Sequence, residues 1–259
     1  MNNPLSLTLG GWVLLSLVSL CVGSFLNVVI HRLPLMIRSS TSQRFNLCWP
    51  CSHCPQCKTP LRWYDNLPLI SWLALHGHCR DCHHVIALRY PMVELAAVGI
   101  ALLCAALFPL GYGLCFALIF GWTLLALSLI DIDHQLLPDN LTLPLLWCGL
   151  LFQLITQPTQ LGHAVIGAIS GYLCLWLLYW GFRLATGREA LGYGDFKLLA
   201  ALGAWLGWHT LPSLLLIASA CGIAATIFMR MFWRRPVNTP MPFGPFLALA
   251  GWGVFLYSA

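Results

Sequence analysis

The sequence predicts an all-α polytopic membrane protein of about eight transmembrane helices, interrupted by one small cytoplasmic loop domain. Three observations predict it: the composition, a series of apolar runs of near-spanning length, and a single Cys- and His-rich break among them. The chain is 59% hydrophobic and 8% charged, where soluble domains carry about 25% charged residues. That balance cannot clothe a water-facing surface. The formal charge of +5 is accordingly a signal of topology and indicates no nucleic-acid partner.

Taken in order, the apolar stretches run over 9–30, 92–109, 113–130, 141–157, 162–182, 196–208, 211–229 and 242–257. Residues 1–30 are expected to be the first transmembrane helix and not a cleaved leader. They start without a basic residue, their apolar run is long for a signal peptide, and no A-x-A site follows. The stretch 196–208 is short against the ~20 residues of a perpendicular span. It either begins within 191–195 or forms a partial span. Residues 92–259 are expected to form a helical bundle with brief connections. In it Gly167, Ala168, Ser170 and Gly171 either permit close helix contact or reflect the general use of small residues in membrane helices.

Lys and Arg fall in loops of one parity. Arg32, Arg38, Arg44, Lys58, Arg62, Arg80 and Arg89 lie within 31–91; Arg183, Arg188 and Lys197 flank the fifth junction; Arg230, Arg234 and Arg235 follow the seventh span. The positive-inside rule makes these segments cytoplasmic and places both termini on the outside. The acids Asp65, Asp81, Glu94, Asp131, Asp133, Asp139, Glu189 and Asp195 map to the same face. Chemistry is expected there.

Residues 31–91 form the one sizeable soluble segment, too short to bury much core without a metal or another staple. Cys54-Pro-Gln-Cys57 and Cys79-Arg-Asp-Cys82 are two C-x2-C knuckles separated by 21 residues. Each knuckle offers two thiolates from a tight turn, and the intervening loop lets the pairs converge on tetrahedral Zn²⁺. A reducing cytoplasm disfavours disulfides, which leaves unmetallated thiols as the alternative. Cys48 and Cys51 add a third C-x2-C, and His53, His76, His78, His83 and His84 lie close by, so one of these can replace a cysteine in the shell. A closed four-ligand site has no open position for water and reads as structural. Cys21, Cys104, Cys115, Cys148, Cys174 and Cys221 sit in the spans and are expected to be packing residues.

An acid set against apolar sequence in a membrane protein is costly and marks a functional site. Asp131 closes an apolar helix at its C-terminal end, where the helix dipole disfavours negative charge and no capping benefit offsets it. Asp195 opens a helix after Gly192 and Gly194, with Lys197 two residues on, and both features favour its ionised form; a simple helix cap is the competing reading. Asp139, which follows Pro138, reads as a cap, and Asp133 as a solvated acid in the turn. Opposed environments at Asp131 and Asp195 suit an acid and a base acting together on water, the chemistry of an aspartyl peptidase.

At the level of motifs the chain resembles the bacterial type IV prepilin leader peptidases, membrane aspartyl proteases that commonly also N-methylate their product. The resemblance covers nearly the whole chain. It rests on the tetracysteine loop with Arg62-Trp-Tyr-Asp-Asn-Leu-Pro-Leu-Ile-Ser-Trp72 between its knuckles, and on Arg89-Tyr-Pro-Met-Val-Glu94 at the second span. It continues through Asp131-Ile-Asp-x5-Asp139, Gly192-Tyr-Gly-Asp195-Phe-Lys-Leu, and Pro242-Phe-Gly-Pro245. The resemblance implies that Asp131 and Asp195 are the catalytic pair and that Cys54, Cys57, Cys79 and Cys82 hold structural Zn²⁺. It further implies that the substrates are prepilins or pseudopilins, met as helices in membrane lipid and cleaved after a Gly. S-adenosylmethionine would donate the methyl group, by resemblance alone. Two other classes compete: an ion-coupled transporter, which predicts acids deeper in the helices, and a zinc-dependent membrane scaffold whose acids only cap helices.

Overall fold

The computed structural model describes residues 7–38, 46–54, 56–187, 192–233 and 241–258. Arg44, Arg188, Glu189, Arg234 and Arg235, used above in the charge argument, lie outside the described residues. The described chain is helical and divides into two compact units, Met1–Leu110 and Gly111–Ala259.

The first unit contains α1 (Leu9–Arg38), the short α2 (Ile70–Ala74) and α3 (Arg89–Leu107). Helix α1 runs eight residues past the expected end at 30. Its extension is possible because Arg32 finds partners: the side chain is buried and donates to the carbonyls of Asn46 and Leu47, each at 3.2 Å. Helices α1 and α3 meet closely at Gly23, where a β-carbon would stand 2.6 Å from the Glu94 Cα. Among the described residues of the intervening loop, buried side chains are few and include Cys54 and Cys79.

The second unit holds α4 (Tyr112–His134), α5 (Asp139–Thr156), α6 (Leu161–Thr186), α7 (Tyr193–Leu206), α8 (Leu211–Trp233) and α9 (Gly244–Tyr257). Among the described residues six helices are long and apolar enough to cross a membrane: α1, α3, α4, α5, α6 and α8. Helices α7 and α9 have 14 residues each, about 21 Å of rise against a hydrocarbon layer of about 30 Å. The eight expected segments are thus all helical, six of them at full spanning length. The short segment at 196–208 resolves as a helix beginning earlier, at Tyr193.

Helix α7 is enclosed by protein. Phe196 and every residue from Leu198 to Trp205 are buried, and α5, α6 and α9 pack around it. Small residues permit that enclosure. Gly167 of α6 and Gly203 of α7 bring backbone against backbone, and a β-carbon at Gly171 would stand 2.7 Å from the Leu199 carbonyl oxygen. The close-contact reading of Gly167 and Gly171 is therefore the one observed. At the far end of α7, Trp205 stacks on Phe120 and Phe152 at centroid distances of 4.4 and 5.2 Å, and its indole N–H donates to Leu145 O at 2.8 Å.

Candidate functional site

The last turn of α4 and the first turn of α7 carry the two acids singled out above. Asp131 is 5% exposed and Asp195 8% exposed, while Asp133, two residues from the first, is exposed as expected. Burying a carboxylate demands hydrogen bonds or charge partners, and each acid finds backbone donors. Asp195 turns back to the backbone N–H of Gly192, the residue before α7. Asp131 accepts the N–H of Gly244 at 2.9 Å. The expectation that no cap offsets the position of Asp131 is corrected here. The acid ends its own helix unfavourably but stands at the N-terminus of α9, whose first peptide N–H it bonds. Leu137 lies against both Gly194, the residue before Asp195, and Gly244, which bonds Asp131, so the two buried carboxylates belong to one locality of the bundle.

Two glycines make the approach possible. A β-carbon at Gly244 would stand 2.7 Å from Asp131 Oδ2, and one at Gly194 would stand 2.7 Å from Leu137 Cβ. Leu137, buried in the turn after α4, also faces Gly244. Leu137 and Gly244 were not singled out as site residues from the sequence. The available signal was Pro242-Phe-Gly-Pro245, a helix start without the usual capping side chain.

Asp139 departs from its expected role. It is the first residue of α5, no capping side chain precedes it, and its carboxylate takes Lys197 Nζ at 2.6 and 2.7 Å. Lys197 therefore does not serve Asp195 as expected. Two helical residues are separated by about 200° around the axis, which turns the lysine toward α5 and the acid away from it.

In the first unit the Sγ atoms of Cys54, Cys57, Cys79 and Cys82 all lie within 4.8 Å of one another. The Cys54–Cys82 and Cys57–Cys79 sulfur separations are 3.7 and 3.9 Å. Tetrahedral Zn²⁺ with bonds of about 2.3 Å holds its sulfurs about 3.8 Å apart, so the donor set fits. Hydrogen bonds with Thr59 lower the Cys57 thiol to about 6, and the backbone N–H groups of Cys82 and Asp81 lower Cys79. Both shifts favour the thiolate that a metal requires, whereas burial and the neighbouring thiols raise Cys82 to about 12.

The two knuckles have one design. Leu61 N–H bonds Ser52 O at 2.7 Å and Ile86 N–H bonds Gly77 O at 2.7 Å; Lys58 bonds back to Cys54 O and His83 back to Cys79 O. Lys58 and His83 share a left-handed φ of 58° and 55°. The shared design has a sequence counterpart, because His-Cys-x2-Cys recurs at 53 and 78. These two histidines, weighed as alternative ligands, instead donate ring Nδ1–H to the carbonyls of Cys51 and His76, at 3.0 and 2.7 Å. Cys48, Cys51, His76, His83 and His84 are outside the four-sulfur cluster. Of the cysteines in the spans, Cys104 is buried as expected, whereas Cys21, Cys115, Cys174 and Cys221 are exposed on helix surfaces. Arg80 ties the second knuckle to the connecting segment through Asp65, with Nη2 at 2.6 Å from Oδ1. A cavity of about 640 Å³ opens within this unit, lined among others by Asn27, Trp72, Tyr90 and Glu94. Glu94 is buried and accepts the Leu69 N–H at 2.8 Å.

Comparison with known proteins assigns a family. Residues 17–108, which include all four clustered cysteines, match the bacterial peptidase A24 N-terminal domain, and residues 118–227, which include Asp131 and Asp195, match the type IV leader peptidase family. A prepilin leader peptidase/N-methyltransferase of Aeromonas salmonicida is 50% identical over 95% of this chain and 91% of its own. Proteins of the same name from Aeromonas hydrophila and Dickeya chrysanthemi are 48% and 50% identical, over 95% and 93% of this chain and 91% and 90% of theirs. No solved structure matches. This chain belongs to the type IV leader peptidase family.

Proposed function

We propose that the protein cleaves the basic leader of type IV prepilins or type II secretion pseudopilins after Gly, and then N-methylates the new N-terminus. Asp131 and Asp195 are the catalytic pair in this reading. One carboxylate takes a proton from the attacking water while its protonated partner polarises the scissile carbonyl, with no covalent enzyme intermediate. The observation that carries it is the burial of two acids at helix ends that share Leu137 as a neighbour, with Gly244 bonding Asp131 beside it. Capping alone does not demand that arrangement: Gly192 and Gly244 each offer a backbone N–H, but such donors are equally well satisfied by water or a neutral side chain.

The division of labour follows the chain. Residues 1–30 supply the first span, 31–91 a loop domain held by one structural Zn²⁺ on Cys54, Cys57, Cys79 and Cys82, and 92–259 the bundle with the peptidase pair. S-adenosylmethionine is the methyl donor suggested by the relatives' name, and it supplies an electrophilic methyl group to the new amine. The cavity of the first unit supports a place for it: its volume of about 640 Å³ lies in the range of small-molecule sites, and Trp72, Tyr90 and the Glu94 carboxylate offer aromatic faces and a counter-charge to a sulfonium. The protein is a multi-pass membrane protein. The Lys and Arg distribution supports a cytoplasmic site and loop in an inner membrane, with both termini periplasmic. Membrane lipid and the prepilin helix are its partners, and nucleic acid is not.

Purified protein in lipid, incubated with a prepilin with and without S-adenosylmethionine and read by mass spectrometry, tests both activities together. Expected are cleavage after Gly in both cases and a gain of one methyl group only with the donor. An intact prepilin overturns the peptidase reading; a cleaved but unmethylated product overturns the second activity.

A further inference from the structure

Asp139 and Lys197 have no part in the chemistry proposed above, yet both carboxylate oxygens of Asp139 bind Lys197 Nζ, at 2.6 and 2.7 Å. Their side chains are 52% and 30% exposed, and pairs so open to water contribute little to stability. Their location gives the contact another use. Asp139 begins α5 directly after the turn 135–138, which leaves the helix end carrying Asp131. Lys197 lies in the early turns of α7, two residues beyond Asp195. The turn is braced on its other side by Leu137, which faces Gly194 and Gly244, and its first residue, Gln135, donates its N–H to Asp131 O at 2.9 Å. A shift of this turn along α7 therefore moves one acid relative to the other.

We propose that the Asp139–Lys197 ion pair is a clasp that sets the separation of Asp131 and Asp195, making both of its members positioning residues for peptide cleavage. The proposal rests on the reading of Asp131 and Asp195 as the catalytic pair. A misplacement of about 1 Å costs on the order of 10²-fold in rate, so a contact of little thermodynamic weight has leverage on turnover. Neither residue needs to touch the substrate.

The test uses full-length, zinc-loaded protein in lipid with a prepilin substrate, measuring kcat, KM and thermal unfolding. Asp139→Asn and Lys197→Gln are each expected to lower kcat about tenfold or more, with KM within about twofold of the parent and the unfolding temperature nearly unchanged. The double variant is expected to be no worse than either single, since the same contact is lost. Lys197→Arg, which retains the charge and the donors, is expected to recover most of kcat. Singles within twofold of the parent, a multiplicative loss in the double variant, or an effect confined to KM would each overturn the clasp. Asp131→Asn in the same series separates the two ideas: cleavage surviving that change overturns the catalytic pair, whereas an inactive Asp131→Asn beside a fully active Lys197→Gln overturns the clasp alone. Lys197→Gln leaves the first residue of α5 intact, so it decides the matter should Asp139→Asn misfold.

Discussion

The two compact units solve the problem of order in opposite ways. The loop of the first unit is ordered by point links: four sulfurs within 4.8 Å, Arg80 on Asp65, and Arg32 on two carbonyls. The second unit is ordered by close approach, with Gly167 against Gly203, and Trp205 stacked between Phe120 and Phe152. Point links leave the surrounding chain adaptable and fail together when their common centre is lost. Close approach leaves no such centre, but it tolerates almost no added volume. Asp131 and Asp195 are buried in the second kind of surroundings, where close packing holds each carboxylate against a backbone N–H.

The largest expected effects break this comparison at the buried acids. Asp131→Asn and Asp195→Asn are each expected to lower cleavage by at least 10²- to 10⁴-fold, roughly the range contributed by a positioned acid or base. Both variants should stay folded and membrane-inserted, since an amide oxygen still accepts from Gly244 or Gly192. Cleavage assays on matched amounts of purified protein check this, and near-parental processing by either variant removes it from the pair.

Next comes the metal. Cys79→Ser is expected to abolish stoichiometric zinc, read by elemental analysis, and to raise hydrogen exchange across the loop while leaving exchange in α4–α9 unchanged. In a small domain the binding free energy of a structural metal is folding free energy. A metal-free protein with a protected loop would refute the role. Equal loosening of both units would instead erase the contrast between them.

A smaller effect probes close packing. Gly203→Val adds volume where a β-carbon already meets the Gly167 carbonyl, and overpacking costs about 1–3 kcal/mol. Thermal unfolding should fall measurably, with zinc content unaffected. Gly99, whose β-carbon would meet nothing, is the matched control, and equal losses at both positions would show that helix propensity rather than contact is being measured.

Much of this was legible beforehand. The eight apolar runs marked the helices because burial in lipid or protein demands apolar residues at every turn, and paired C-x2-C marked the sulfur cluster because ligand spacing is local. What escaped notice depended on distant partners. Gly244 meets Asp131 across 113 residues and Lys197 meets Asp139 across 58, and neither separation leaves a periodic trace. The extension of α1 beyond 30 escaped for the same reason, because Arg32 is polar until its carbonyl partners at Asn46 and Leu47 are known. The duplicated knuckle was visible in His-Cys-x2-Cys but is carried mainly by backbone bonds, which many side chains permit.

The smallest effect expected is at Asp133, and it isolates burial from chemical type. Asp131 and Asp133 are the same residue on one helical turn, but the first is 5% exposed and the second lies open on the surface. Two positions apart on a helix, they face nearly opposite directions, so only one can join the enclosed acid on α7. Removing charge from an exposed acid usually changes stability by no more than about 0.5 kcal/mol. At the C-terminal end of α4 it also relieves an unfavourable interaction with the helix dipole. Asp133→Asn is therefore expected to be neutral to slightly stabilising and to leave kcat within about twofold of the parent, well short of the 10²-fold or greater loss at Asp131. Parallel measurement of unfolding temperature and cleavage checks both halves. A loss at Asp133 approaching that at Asp131 would mean that an exposed acid takes part in the reaction, and burial would no longer distinguish the members of the pair.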